Sequence, residues 1–193
     1  MNKMSPNVPP KQPAICVFCG SSPGIDPDFA AAARRLGELI AKNGYQLVFG
    51  GGGVGLMGEV AAATSEHQGK ILGIIPDFLR HLEPPLHVKS EIVITATMND
   101  RKAQMFAASD AFIVLPGGLG TLDELFEAHT NAQLGLHKMP IILVNTKNYW
   151  DPLLALIDHM IANEFARPVT RDLLTVVNTP EEAIAYVAEH VKV

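Results

Sequence analysis

Hydrophobic residues in this chain fall into short unbroken runs separated by helical patterns. Runs such as Ile15-Cys16-Val17-Phe18, Leu47-Val48-Phe49, Ala111-Phe112-Ile113-Val114-Leu115 and Ile141-Ile142-Leu143-Val144 show no polar alternation. Continuous apolar strands fit a sheet covered on both faces. The pattern predicts strands over 14–18, 46–49, 70–75, 91–95, 111–115, 139–145 and 173–177. It predicts helices over 28–42, 55–67, 99–108, 125–134, 150–163 and 180–190, with a loop over 81–90. Thr179 reads as an N-cap, followed by Pro180 at N1 and Glu181 and Glu182 in the first turn. Strand and helix alternate along the chain. The expected fold is therefore α/β: a Rossmann-like doubly wound, mostly parallel sheet with helices on both faces. Ligands in such sheets bind beyond the carboxyl ends of the strands, near the point where strand order reverses.

Three predicted strands run into turns suited to that role: Gly20-Ser21-Ser22, the glycines at 50–53, and Pro116-Gly117-Gly118-Leu119-Gly120-Thr121. The third carries the most information. A glycine-rich turn lets backbone approach a ligand, and the free N–H groups of the helix that follows point at an anion. Glu124 falls about one turn into that helix. A phosphate cradle with a carboxylate nearby suggests chemistry on a small phosphorylated molecule. Two plainer readings stand beside it. The glycines would only make a tight turn, and Glu124 would only be an acid favoured by the helix dipole.

Other motifs are weaker. Gly53-Val54-Gly55-Leu56-Met57-Gly58 fits the dinucleotide fingerprint, with Asp77 about 20 residues on. A lone fingerprint is a weak signal, and the chain has little room for a separate substrate domain. The 116–121 loop lacks the Gly-Lys-Ser/Thr ending of a P-loop. Arg101 and Lys102 open another helix, as an exposed basic turn or as anion ligands; the nearby anion site favours the second. Cys16 and Cys19 have the spacing of a redox pair or half a zinc site, but no second Cys pair exists and the segment reads as a buried strand running into a turn. Strand alternation also puts them on opposite faces. The seven histidines show no metal-ligand spacing, and no GxSxG nucleophile motif occurs.

Composition narrows the function classes. At 193 residues, with 48% apolar and 18% charged residues, the chain suits one globular domain over 14–193, behind a Pro-rich tail over 1–13 expected to be disordered. A net charge of -5 is a poor footprint for nucleic-acid binding. No apolar run is long enough to span a membrane, and the first residues lack a signal-peptide core. A cytoplasmic protein is expected.

These residues add up to a family. The chain resembles the Lonely Guy cytokinin-activating proteins, once described as possible lysine decarboxylases. The resemblance runs from about Ile15 to about Leu174. It rests on Cys16-Val17-Phe18-Cys19-Gly20-Ser21-Ser22, the glycine cluster over 50–58, Met98-x-x-Arg101-Lys102, the PGGxGTxxE motif from Pro116 to Glu124, and Ala132-Gln133-Leu134-Gly135. It implies a phosphoribohydrolase that cuts the N-glycosidic bond of an N6-substituted adenosine 5′-monophosphate, or of AMP, to free base and ribose 5-phosphate. It implies Arg101 and Glu124 as the catalytic pair. It implies substrate contacts from Glu83, Lys102, Gly117, Gly118, Leu119, Gly120, Thr121, Leu122, Asp123 and Thr130, joined by Ser21, Gly52 and Met98 in the shared motifs. At least a homodimer is implied, and no metal or organic cofactor. Leu119 stands where the family commonly has Tyr, and Asn99 where it often has His. No pyridoxal-phosphate lysine site is marked, so the decarboxylase label has no support in the residues. A carrier on the same fold that binds a nucleotide or cofactor without cutting it is the rival reading, since fold does not fix function.

Overall fold

The computed structural model describes residues 12–80 and 88–191. Seven strands are present: β1 (Ala14–Phe18), β2 (Gln46–Phe49), β3 (Ile71–Pro76), β4 (Glu91–Thr95), β5 (Ala111–Val114), β6 (Ile141–Val144) and β7 (Leu174–Val177). They form one sheet in the order β4-β3-β2-β1-β5-β6-β7. Every pairing is parallel, with Ile15 of β1 opposite Leu47 of β2 on one side and Ala111 of β5 on the other. The mostly parallel sheet that the sequence predicts is thus parallel throughout. Strand order reverses between β1 and β5. The turns after these two strands are the glycine turn at Gly20 and the Pro116 loop.

The helices are α1 (Pro27–Lys42), α2 (Gly55–Glu66), α3 (Asp77–Arg80), α4 (Met98–Ala107), α5 (Leu119–Gln133), α6 (Asp151–Ala162), α7 (Val169–Asp172) and α8 (Pro180–His190). Two hydrophobic layers sandwich the sheet. One unites Ile15, Val17 and Cys19 with Leu36 and Ile40 of α1, Val60 of α2 and Val187 of α8. The other unites Cys16 and Phe18 with Met105 of α4, Leu125 and Ala128 of α5, and Ile157 of α6. Successive strand residues feed opposite layers, as the pleat requires. Cys16 and Cys19 accordingly lie in different layers as free, buried thiols.

Helix ends follow local chemistry. Asp26 caps α1 by accepting from the Asp28 N–H, and Pro27 occupies its first turn. Thr97 caps α4 by accepting from the Asp100 N–H. Thr179 and Glu182 form a reciprocal capping box on α8.

Four expectations need correction. Strand β4 is not covered on both faces: it is a sheet edge, with Ile92 and Ile94 exposed. Strand β3 does not end at 75 but includes Pro76 as its last residue, paired with Thr95 of the edge strand. Helix α5 starts at Leu119, inside the glycine motif, so Glu124 is its sixth residue and lies beyond the first turn. The short α3 and α7 were not legible in the apolar pattern. The expected tail over 1–13 is described only at its last two residues. There Gln12 donates to the Gly44 carbonyl at 2.8 Å, and the Pro13 carbonyl accepts from the Gln46 N–H at 2.9 Å.

Helix α1 packs against α2. Gly37 of α1 sits where a Cβ would run into the Val60 carbonyl oxygen, and would stand 3.1 Å from the Ala63 Cβ. In an exposed helix Gly→Ala stabilises by about 1 kcal/mol. Here Gly37→Ala is expected to reverse that sign and destabilise by about 1–3 kcal/mol, the usual scale of overpacking. A urea midpoint at or above that of the wild type would refute the contact.

Candidate functional site

The site is built where the sheet forces a gap. Beyond β1 and β5 the chain turns away in opposite directions, and among the described residues no helix or strand fills the space between. Backbone bonds tie the two turns together: the Leu115 N–H donates to the Phe18 carbonyl and the Gly20 N–H to the Pro116 carbonyl, both at 3.0 Å. Gly117 packs between them, since a Cβ there would meet the Thr121 side chain and, at 2.8 Å, the Gly20 nitrogen. Helix α5 then begins at Leu119 behind Gly118, with no side-chain cap. Its first helical bond runs from the Leu122 N–H to the Gly118 carbonyl. The N–H groups at 119–121 therefore lack intrahelical acceptors. A Cβ at Gly118 or at Gly120 would touch nothing within 4 Å. Packing inside this chain does not require those two glycines. The open space above them suits a ligand that approaches the backbone.

The dinucleotide-like cluster behaves differently. The N–H groups of Leu56 and Met57, in the first turn of α2, are directed at the Gly20 carbonyl, at 3.0 and 3.4 Å. Gly55 has φ +58 and packs directly on the Ser21–Ser22 backbone, and a Cβ on Gly58 would lie 2.6 Å from the Gly53 oxygen. These glycines seat α2 against the β1 turn. Their helix N-terminus is directed at protein and not at open space.

A cleft of about 320 Å³ opens over the α5 N-terminus. It brings together Ser21, Met98, Arg101, Gly118, Leu119, Gly120, Thr121 and Glu124, from three separate segments of sequence. Gly117 lines a neighbouring cleft of about 310 Å³ that shares Gly20, Ser21 and Gly118 with the first. The other expected residues stand elsewhere. Gly52 is buried and lines neither cleft. Lys102 turns to α5, where its Nζ pairs with Glu127 at 2.7 Å and Asp123 at 3.0 Å, so it clips α4 to α5. Leu122 packs against the α5 side of the core, and Thr130 is exposed further along that helix. Glu83 lies outside the described residues. Cys19, Met57 and Leu79 also line the cleft, and Tyr149 lines its neighbour. Met57 sits in a motif the sequence displays, whereas nothing in the sequence singles out Tyr149.

At the floor of the cleft is a buried ion pair. Arg101 Nη1 stands 3.0 Å from Glu124 Oε1, and each side chain is 10% exposed. Arg101 Nε also donates to the Ile74 carbonyl at 3.1 Å. Gly50 makes room for the guanidinium, because a Cβ there would collide with Nη2. Arg101 is therefore held by two strands and two helices: it starts from α4, rests on β3, passes the end of β2 and reaches α5. Burial pushes the Glu124 carboxyl up to about 7, against the pull of Arg101 and with a smaller push from Asp123. A carboxyl that titrates near neutrality can both hold and give up a proton at working pH. The plainer reading of Glu124 as a helix-dipole acid fails on position and burial. Neither cysteine suits thiol chemistry, since burial raises both thiols well above their ordinary range, and Glu124 raises them further.

Fold and site together define a Rossmann-like protein with an open helix N-terminus and a buried acid–guanidinium pair at its switch point. The family model described as "Possible lysine decarboxylase" matches residues 57–187. A protein of Arabidopsis thaliana named cytokinin riboside 5′-monophosphate phosphoribohydrolase is 41% identical over 91% of this chain and 81% of its own length. One of Oryza sativa, named a probable enzyme of the same kind, is 44% identical over 91% of this chain and 72% of its own. The chain belongs to the Lonely Guy family, which carries that older decarboxylase description. Among solved structures, the molybdenum cofactor binding protein of Rippkaea orientalis superposes with a TM-score of 0.70 at 26% identity, over 95% of this chain and 99% of that one.

The raised Glu124 carboxyl has a consequence for stability. Its folded value of about 7 lies above the ordinary 4.5, so the folded state binds the proton more tightly than the unfolded chain. This contribution is full below about 4.5 and is lost as pH rises through about 7. Glu124→Gln cannot ionise. It is expected to gain stability relative to the wild type across that window, measured as the difference in urea midpoints. A flat difference from pH 4.5 to 7.5 would show that the carboxyl is not raised.

Proposed function

We propose that this protein hydrolyses the N-glycosidic bond of adenosine 5′-monophosphates, N6-substituted or plain, to release the free base and ribose 5-phosphate. One observation carries the reading: the buried Arg101–Glu124 pair shares a cleft with the open N-terminus of α5. The 41–44% identity to phosphoribohydrolases supports it.

The 5′-phosphate rests on the N–H groups at 118–121, where the helix dipole favours an anion. Thr121 adds a hydroxyl at the same end. Glu124 leans back from the second turn of α5, because helical side chains tilt toward the N-terminus. As the C1′–N bond breaks, positive charge develops on the ribose. The Glu124 carboxylate stabilises it and takes a proton from the attacking water. The water oxygen bonds to C1′, and the proton held by Glu124 is available to the departing base. Arg101 is committed to Glu124 and to the Ile74 carbonyl, which supports an orienting role over direct phosphate binding. Lys102, Asp123 and Glu127 fix the angle of α5 on which the cradle depends. No step calls on a metal or organic cofactor.

Incubation with AMP, isopentenyladenosine monophosphate and adenosine tests the reading. Both monophosphates are expected to yield free base, and adenosine almost none, because binding energy from the phosphate positions the sugar. Glu124→Gln should bind AMP as the wild type does and lose at least about a hundredfold in rate. The acid limb of kcat/KM is expected near 7, the value for Glu124. A carrier would bind AMP and release no adenine. Equal rates on AMP and adenosine, or normal turnover in a folded Glu124→Gln protein, would overturn the mechanism.

The assembly we propose is a symmetric homodimer. Apolar side chains on α2 are spent internally, but Leu119 and Phe126 on α5, and Leu134 and Leu136 just past it, are exposed. Covering them against a second copy would bury an apolar patch next to the cleft. Sedimentation at micromolar concentration is expected to give twice the chain mass, and a monomer would refute the dimer.

A further inference from the structure

The loop that forms the proposed phosphate cradle is held peptide by peptide. The Leu115 N–H bonds to Phe18, the Pro116 carbonyl to the Gly20 N–H, and the Gly118 carbonyl to the Leu122 N–H. Among the described residues, three of the four bonds that fasten the loop thus come from backbone. The fourth comes from a side chain distant in sequence: the Tyr149 hydroxyl donates to the Gly117 carbonyl at 2.6 Å. The peptide group is planar, and no cis bond occurs among the described residues. Its oxygen and its N–H therefore point to opposite sides. Holding the Gly117 oxygen fixes the direction of the Gly118 N–H, away from Tyr149. Gly118 has no side chain to resist a flip of that peptide.

The segment that delivers Tyr149 is itself unusual. Lys147 and Asn148 both adopt left-handed backbone, at φ 57 and φ 59. Two such residues in succession, neither of them glycine, are disfavoured and persist only where surrounding contacts enforce them. Here Asn145 enforces them. Its side chain accepts from the Trp150 N–H at 2.7 Å and donates to Asp151 at 2.8 Å, and it is buried. Tyr149 is then clamped edge-on between the Trp150 and Phe29 rings, at centroid distances of 4.9 and 5.7 Å. A strained turn, a buried bracket and two rings converge on one hydroxyl, and that hydroxyl holds one peptide of the cradle.

We infer that Tyr149 is a positioning residue for the anion site: its hydroxyl locks the Gly117–Gly118 peptide so that the Gly118 N–H faces the bound phosphate. The inference rests on the proposed cradle but not on the hydrolytic step.

Tyr149→Phe removes one oxygen and keeps both ring contacts. Calorimetry with ribose 5-phosphate reads the cradle without turnover, so the outcome stands whether or not the wild type cuts AMP. The variant is expected to keep its thermal midpoint and to bind ribose 5-phosphate about tenfold more weakly, the scale of one hydrogen bond to a charged group. Adenosine, which has no phosphate, should bind both proteins alike. In a protein that does cut AMP, KM for the monophosphate should rise with kcat little changed. Unchanged ribose 5-phosphate affinity would overturn the inference. So would an equal loss for adenosine, which would mark a general packing defect. Should the variant unfold, Tyr149→His keeps a shorter ring beside Trp150 and Phe29 and serves in its place: about a tenfold loss of ribose 5-phosphate affinity with adenosine affinity unchanged is expected, and unchanged ribose 5-phosphate affinity would refute the role.

Discussion

The reversal of strand order between β1 and β5 is the constraint on which the site depends. In a parallel sheet each strand hands the chain to a helix at its carboxyl end. Next to the reversal, the helices after β1 and β2 pack on one face, and those after β5 and β6 on the other. The turns after β1 and β5 must therefore diverge, and a crevice is left between them. Everything functional in this chain is a way of lining that crevice. Backbone bonds from Leu115 to Phe18 and from Gly20 to Pro116 keep the diverging turns in contact at their base. Glycine at 117 lets them touch, and helix α5 enters with its free N–H groups facing the gap.

Within that frame the Arg101–Glu124 pair is a costly choice. Two charges removed from water gain little net stability from each other, and a hydrophobic pair of similar volume often does as well. The pair also has rigid supports: the Ile74 carbonyl, the room provided at Gly50, and the Lys102 clip between α4 and α5. Supports of this kind hold a charge in a fixed place while leaving its proton affinity to burial. The resulting value of about 7 for Glu124 lies where a carboxyl is useful for moving protons and poor for stabilising a fold. This asymmetry argues for chemistry over architecture.

The architecture was legible because its signals are local and repeated. Unbroken apolar runs mark six of the seven strands, and Thr179 with Pro180 and Glu182 marks the start of α8 to the residue. The misreadings share one cause: tertiary context that a window of sequence does not carry. Edge position explains why β4 is exposed despite its isoleucines, and a late pairing with Thr95 explains why Pro76 remains in a strand. The cradle and the Arg–Glu pair were legible as motifs, but the partners of Lys102 were not, since Asp123 and Glu127 lie on another helix. Tyr149 carried no signal at all. Its role follows from a turn whose two left-handed residues, Lys147 and Asn148, are ordinary in composition.

Two glycine-rich turns in this chain look alike in sequence and do opposite work. The cluster at 53–58 spells a dinucleotide fingerprint, yet the first N–H groups of α2 meet the Gly20 carbonyl, and a side chain at Gly55 or Gly58 would strike backbone. The cluster at 117–120 fits that fingerprint less well, yet α5 has no cap and a side chain at Gly118 or Gly120 would strike nothing. A count of glycines cannot separate the two. What separates them is whether an acceptor within the protein already occupies the helix N-terminus. At α2 an acceptor does, and the glycines are there for close packing. At α5 the donors have no acceptor among the described residues, and the charged groups lining the same cleft are a carboxyl poised near neutrality and the arginine that holds it. An anion held by those donors is held beside a group able to move a proton, and that adjacency is the physical content of the proposed activity.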